Sequence, residues 1–237
     1  MIKRSKRYKE LVTKYKKDAF YSLDDAVKLI KDLATAKYNE TINLTVKLSV
    51  DPKKAEEQVR TTIVLPQGTG KKVRVLVLAS GDKVKEAQDA GAEFVGAEDL
   101  VDKIMKGWLD FDAVIATPDA MKFASKLGKI LGPRGLMPNP KLGTVTFNIK
   151  DAVQKMKAGQ VELKTDKFGI VRTIIGKADF GAEKLKDNLS AVIKALIKVK
   201  PAHIGTKTLY MKTMALHPTH GPSILMDING VWMELAG

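Results

Sequence analysis

Residues 67–79 read QGTGKKVRVLVLA, and the fold depends on how they are taken. The opening Gln67-Gly68-Thr69-Gly70 is turn-forming, and the run that follows at 73–79 is short, continuous and rich in Val and Leu. Such a run fits a strand buried on both faces of a parallel sheet. Upstream the texture is different. Ile42, Leu44, Val46, Leu48 and Val50 alternate strictly with other residues, as in a half-buried strand, and residues 60–65 give a second strand stopped by Pro66. Before these, Ser22-Leu23-Asp24-Asp25 has the pattern of a capping box, and Ala26, Val27, Leu29, Ile30 and Leu33 keep helical spacing. Downstream of 73–79 come the helix-like DKVKEAQDAG (82–91), the brief EFVG (93–96), a second helix AEDLVDKIMKG (97–107) and a buried strand at 113–116. Thr117-Pro118 then offers an N-cap and a proline at the first helical position. This alternation predicts a small doubly wound α/β domain that closes with a helix near 151–158.

From Gln160 the antiparallel signals return. Residues 161–165 and 170–175, joined by Asp166-Lys167-Phe168-Gly169, predict a hairpin. A long amphipathic helix is expected over 182–199, ended by Pro201, and strands near 206–216 and 223–228 flank the turn HPTHGPS (217–223). The fold class is therefore α+β with an α/β insertion. Residues 1–66 and 160–237 form a discontinuous α+β domain with an antiparallel sheet, and residues 67–159 form the inserted α/β domain. The sequence contains no internal repeat.

The chain has 237 residues, of which 44% are hydrophobic, enough for real cores. No apolar run approaches the roughly 18 residues of a membrane span, and the basic N-terminus lacks the apolar stretch of a secretory signal. Without cysteine there are no disulfides and no thiolate metal sites; a cytoplasmic protein without membrane contact is the expectation. Charge is the strongest compositional signal. The net charge is +14, and the basic residues cluster, with eight among the first 17 residues against the single acid Glu10. No acid lies between Asp119 and Asp151, a stretch that carries Lys122, Lys126, Lys129, Arg134, Lys141 and Lys150. A field of this kind favours a polyanion, nucleic acid first. The outer segments hold 26 basic and 16 acidic residues and the insertion 15 and 11, so the outer domain is the better binder.

Enzyme chemistry finds little support. Gly68-Thr69-Gly70-Lys71 suggests a phosphate loop, but Leu65 stands where a P-loop needs glycine and Lys72 where it needs Ser or Thr. The stretch also precedes a strand, whereas a phosphate loop opens a helix. His217 and His220 supply two ligands where zinc needs three or four, and Pro218 prevents the helix that would align them; the third histidine, His203, lies in a loop near Pro201. No metal, cofactor or catalytic group is assigned, and a nucleotide- or metal-dependent enzyme is the rival reading. The run LGPRGLMPNP (131–140) is a fixed non-helical loop. Arg134 on it is a candidate secondary phosphate contact, and a tightly packed interdomain loop is the equal alternative.

Six stretches together carry a resemblance: ATAKYNET (34–41), TIVLPQGTGK (62–71), DAGAEFVGAEDL (89–100), FDAVIATPD (111–119), LGKILGPRGLMPNPKLGTV (127–145) and THGPS (219–223). They span nearly the whole chain, which resembles the bacterial type of the large-subunit ribosomal protein family of the mobile side stalk, "L-one". The resemblance implies a discontinuous RNA-binding domain with both termini and a Rossmann-like insertion. It implies the following partners: the 23S-type ribosomal RNA of the stalk, the deacylated tRNA released from the exit site, and, in repression of translation, the mRNA of its own operon. It also implies a protein that is cytoplasmic on the ribosome and a monomer outside it.

Family contacts carry over in three strips. The usual Lys-Phe-Asp-Glu-Thr stands here as Lys37, Tyr38, Asn39, Glu40 and Thr41, with Asn in place of Asp. Glu162, Lys164, Asp166 and Lys167 match a second strip on the expected hairpin. A Thr-Met-Gly turn is found as Thr219, His220 and Gly221, with His in place of Met. RNA is read through shape, phosphates and 2′-hydroxyls, which a threonine hydroxyl and turn amides can meet. Gly221 is expected to let the backbone come close, and a branched side chain there to block that approach and resist any φ > 0 conformation.

Overall fold

The computed structural model describes residues 4–54, 56–81, 83–201 and 210–236. The backbone divides into two compact units, residues 1–70 with 161–237, and residues 71–160.

The first unit is built on a five-stranded sheet. Its strands are β1 (Phe20–Tyr21), β2 (Thr41–Leu48), β8 (Ile170–Lys177), β9 (Met211–Pro218) and β10 (Ile224–Met226), in the order β1-β10-β9-β2-β8. All neighbours are antiparallel except β1 and β10. The alternation in β2 works as expected: Ile42, Leu44, Val46 and Leu48 are buried, while Thr41, Asn43, Thr45 and Lys47 face the other way. The inward set packs against α2 (Leu23–Leu33) and α8 (Ala182–Lys198), through Ile30 and Leu33 of one and Leu189 and Val192 of the other. Each such side chain stabilises by roughly 1.5–3 kcal/mol when fully buried. Ser22 caps α2 by accepting from the Asp25 N–H, and its hydroxyl donates to the Asp25 carboxylate. On the outward face lie Asn43, Thr45, Arg172, Ile174, Thr213 and His217, none of them buried.

Two corrections concern this unit. The hairpin expected over 161–175 is only a turn. Asp166 to Gly169 closes it, and a single bridge joins Thr165 to Val171. The strands then part: β7 (Gln160–Lys164) pairs with β3 (Arg60–Val64) in a sheet of its own, and β8 joins β2. The contact with the β3 segment continues past the strand ends, where the Thr165 N–H and hydroxyl both donate to the Val59 carbonyl. The strand expected over 206–216 begins at Met211, and its residues 206–209, like His203, lie outside the described residues. Helices α1 (Lys6–Thr13) and α9 (Ile228–Ala236) were not expected from the sequence.

The second unit has a three-stranded parallel sheet, β5-β4-β6, formed by β4 (Val75–Leu78), β5 (Phe94–Gly96) and β6 (Ala113–Ala116). All four β4 residues are buried, because the strand feeds two cores. Val75 and Val77 pack with Ile149 and Val153 of α7 (Ile149–Lys157) and Ala87 of α3 (Lys83–Asp89). Leu76 and Leu78 pack with Ile104 of α4 (Glu98–Met105), Ala124 of α5 (Met121–Lys126) and Leu131 of α6 (Gly128–Leu131). The continuous apolar run at 73–79 is thus a strand covered by helices on both faces. The proline rule failed nearby. Thr117 accepts from the Ala120 N–H and so caps a turn over 118–120, and α5 begins only at Met121. Among the described residues no helix is long and apolar enough to cross a membrane.

Candidate nucleic-acid interface

The register of β2 with β9 places Ile42 opposite Pro218 and Asn43 opposite His217, which brings the first and third strips together. Three hydrogen bonds make the junction. The Thr219 hydroxyl accepts from the Thr41 N–H at 3.3 Å and donates to the Thr41 carbonyl at 3.1 Å. The His220 N–H donates to Glu40 Oε2 at 2.8 Å. Glu40 is fully buried and its other oxygen accepts from the Ala36 N–H at 2.8 Å. It therefore lies beneath the surface and fixes two loops, whereas the family resemblance led us to expect it among the contacts. Buried carboxylates need such donors, since an uncompensated one costs several kcal/mol.

The chemistry offered to a partner also differs from expectation. The turn amides do not face outward: that of His220 is held by Glu40, and that of Gly221 donates to the Pro218 carbonyl at 3.4 Å. Nor does Gly221 have a positive φ. What excludes a side chain there is contact within the protein, since a Cβ would stand 2.3 Å from Pro218 Cγ and 3.0 Å from the Leu33 carbonyl oxygen. The exposed surface is aromatic and cationic instead. Tyr38 is 51% exposed, and the His220 ring meets it edge to face, with centroids 5.8 Å apart. Lys37 projects alongside, exposed. Asn39, in the place of the usual aspartate, accepts from the Asp179 N–H through Oδ1.

Two residues at this edge were not singled out from the sequence. Arg7 of α1 donates to the His220 carbonyl at 2.8 Å and to the Thr35 hydroxyl at 3.2 Å, and lies 4.0 Å from Glu40. Lys177, across from Thr41 on β8, donates to its hydroxyl at 2.8 Å. The basic N-terminus was a signal for Arg7, but only the strand register reveals Lys177.

The second strip lies at the other end of β2, where Lys47 Nζ donates to the Phe168 carbonyl and the Leu48 N–H to that of Gly169. From Thr41 to Leu48 the strand covers roughly 23 Å at the usual rise per residue. Here the acids are spent internally. Glu162 holds Arg60 at 2.8 Å. Asp166 accepts from the Phe168 and Ile170 N–H groups and from Arg172 at 2.7 Å. The Ile170 amide above all, helped by Arg172 and then the Phe168 amide, keeps its carboxyl below the usual aspartate range against an opposing effect of burial that is second in size. Lys164 and Lys167 remain exposed, the latter with its ammonium 5.2 Å from the centroid of the Phe168 ring. Arg134 is also exposed, in the other unit, on a loop whose Leu136 and Met137 pack on that unit's own core.

His217 is within 3.5 Å of the Thr45 hydroxyl and, through Nδ1, 3.3 Å from the Pro218 carbonyl. Among the described residues no three His, Asp or Glu side chains are grouped to hold a metal ion. The stretch 68–71 runs into β4 and not into a helix.

Comparison with known proteins agrees with the geometry. The model of the ribosomal protein L1p/L10e family matches residues 30–222, a span that contains all three strips. The chain is 49% identical over 228 residues to the large ribosomal subunit protein uL1 of Thermus thermophilus, covering 96% of this chain and 99% of that protein. The chain belongs to the ribosomal protein L1p/L10e family, in its bacterial form.

Proposed function

We propose that this protein is a non-catalytic constituent of the large ribosomal subunit in the cytoplasm, and that it holds the 23S-type RNA of the mobile side stalk through the discontinuous unit of residues 1–66 and 160–237. The junction of Thr41 with Thr219, residues far apart in sequence, carries this reading. It sets Lys37, Tyr38, His220 and Arg7 on one edge, where rings can pack on sugars or bases and cations can meet phosphates. Lys164 and Lys167 form the second point of the grip, roughly 23 Å along β2, with the open sheet face between. Glu40, Glu162 and Asp166 act behind the contact, by holding backbone and arginines in place.

The Rossmann-like insertion, residues 67–159, offers Arg134 as a secondary phosphate contact. In this reading the protein moves with the stalk as deacylated tRNA leaves the exit site. It also represses translation by binding a similar structure in its own operon mRNA, and it is a monomer when free. The test is affinity for a stalk RNA fragment against an unrelated RNA duplex over a salt series. Strong preference for the stalk is expected, and Lys37→Ala should flatten the salt slope by somewhat under one unit. Equal affinity for both RNAs overturns the reading.

A further inference from the structure

The first helix presents a second surface. Leu11 points into the core, and Arg7, partly exposed, reaches the His220 carbonyl at the edge described above. Tyr8 and Val12 of this helix and Tyr15 just beyond its end, all half-buried, line a groove of about 370 Å³ together with Arg4, Lys9 and Lys17. That volume falls within the range of small-ligand sites, about 300–1,000 Å³. The Arg4 guanidinium already lies over the Tyr8 ring, 4.4 Å from its centroid.

We infer that this groove takes an unpaired nucleotide of the bound RNA, its base against the tyrosines and its flanking phosphates on Arg4, Lys9 and Lys17. The inference rests on the RNA-binding reading above and adds to it a site on a different element. Three observations favour nucleic acid over other anions. Two tyrosines and three cations line the same groove, which matches a chain that repeats a flat base and a phosphate. A planar guanidinium over a ring is itself a stacking surface that a base can extend. The groove adjoins the interface, because Arg7, from the same helix, is bonded to the His220 turn. A bilayer surface fits less well, since Tyr8, Val12 and Tyr15 are half-buried and present no exposed apolar face to insert.

The experiment uses the full chain and a stalk RNA fragment. Ultraviolet cross-linking of the unaltered protein, read by mass spectrometry, should attach RNA at Tyr8 or Tyr15. The double variant Tyr8→Leu, Tyr15→Leu should lose about tenfold in affinity with an unchanged salt slope, while Tyr8→Phe, Tyr15→Phe should stay within about twofold. Lys9→Ala with Lys17→Ala should instead flatten the slope, by roughly 0.7 unit for each phosphate lost from a single strand. Thermal melts check that each variant folds; the cross-link on the unaltered chain needs no variant at all. The inference is overturned if no cross-link forms at either tyrosine, or if the folded leucine variant binds stalk RNA like the parent. It is equally overturned if that variant keeps its RNA affinity and loses binding to phosphatidylserine vesicles. These outcomes leave stalk preference intact, whereas failure of the RNA-binding reading shows as an unaltered protein that prefers no RNA.

Discussion

At Glu40 one buried carboxylate holds the N–H groups of Ala36 and His220, which lie in two segments far apart in sequence. Glu40→Gln keeps one acceptor and turns an amide NH2 toward the other N–H. The expected cost is about 1–3 kcal/mol of stability, seen in urea unfolding, with RNA affinity falling as the turn loosens. Lost affinity at unchanged stability would make Glu40 a direct contact. Gly221 is tested differently. Gly221→Ala puts a methyl group into the Pro218 ring and should cost about 1–3 kcal/mol by thermal melting. Adding Pro218→Ala should recover part of it, since the closest contact goes and only the Leu33 carbonyl remains tight. No recovery would mean that a close approach of RNA, and not the proline ring, requires the glycine.

At the scale of elements, the turn before β8 depends on Asp166. Asp166→Ala removes the acceptor of two backbone N–H groups and the partner of Arg172, whereas Asp166→Asn keeps an acceptor and loses the ion pair. Alanine should therefore raise hydrogen exchange at Phe168 and Ile170 well above the parent, with asparagine near it; equal exchange in all three would show that pairing with β2 alone holds the turn. The same element shows what the sequence could and could not reveal. Strict alternation fixed which face of β2 is buried, and the run at 73–79 announced a strand with two covered faces, because both patterns are local consequences of burial. The partner of β7 was not legible. A tight turn at 166–169 favours a hairpin, and the competing partner, β3 with the Val59 carbonyl at its edge, lies about a hundred residues upstream. The three strips were legible through resemblance. That Glu40 is buried, and that the turn amides face inward, are facts of pairing between distant segments, and no local pattern encodes them. Helix α1 was hidden for another reason: it is eight residues long and charge-rich, with only Leu11 fully buried, so its apolar positions are few.

At the scale of the whole molecule, each unit has its own core and its own acid response. In the second unit Asp112 is mostly buried, which alone raises its carboxyl pKa, but Lys71 at 2.6 Å together with the Arg74 N–H and guanidinium outweighs this and holds it at about 2. A folded value below the ordinary 3.8 contributes stability at higher pH that is lost as pH falls from about 4 toward 2. Asp112→Asn should thus destabilise the unit near neutrality, by about 1 kcal/mol after solvent screening, and flatten its acid denaturation in that window; an unchanged acid profile would count against the ion pair. The division itself can be tested by removing the insertion. The chain leaves the first unit after β3 and returns in β7, and these two strands are paired, so the ends to be rejoined are neighbours and a short flexible linker closes them at small entropic cost. Everything that joins Thr41 to Thr219, and the turn with Lys164 and Lys167, lies on the retained side. A chain with residues 71–160 replaced by such a linker should unfold cooperatively and keep stalk RNA affinity within about tenfold, or ~1.4 kcal/mol. Loss of all preference in a chain that still melts cooperatively would move the principal site to the insertion. Arg134→Ala in the full protein would then be the variant that reproduces the loss, whereas with the grip on the discontinuous unit it costs only a single phosphate contact and lowers the salt slope by under one unit.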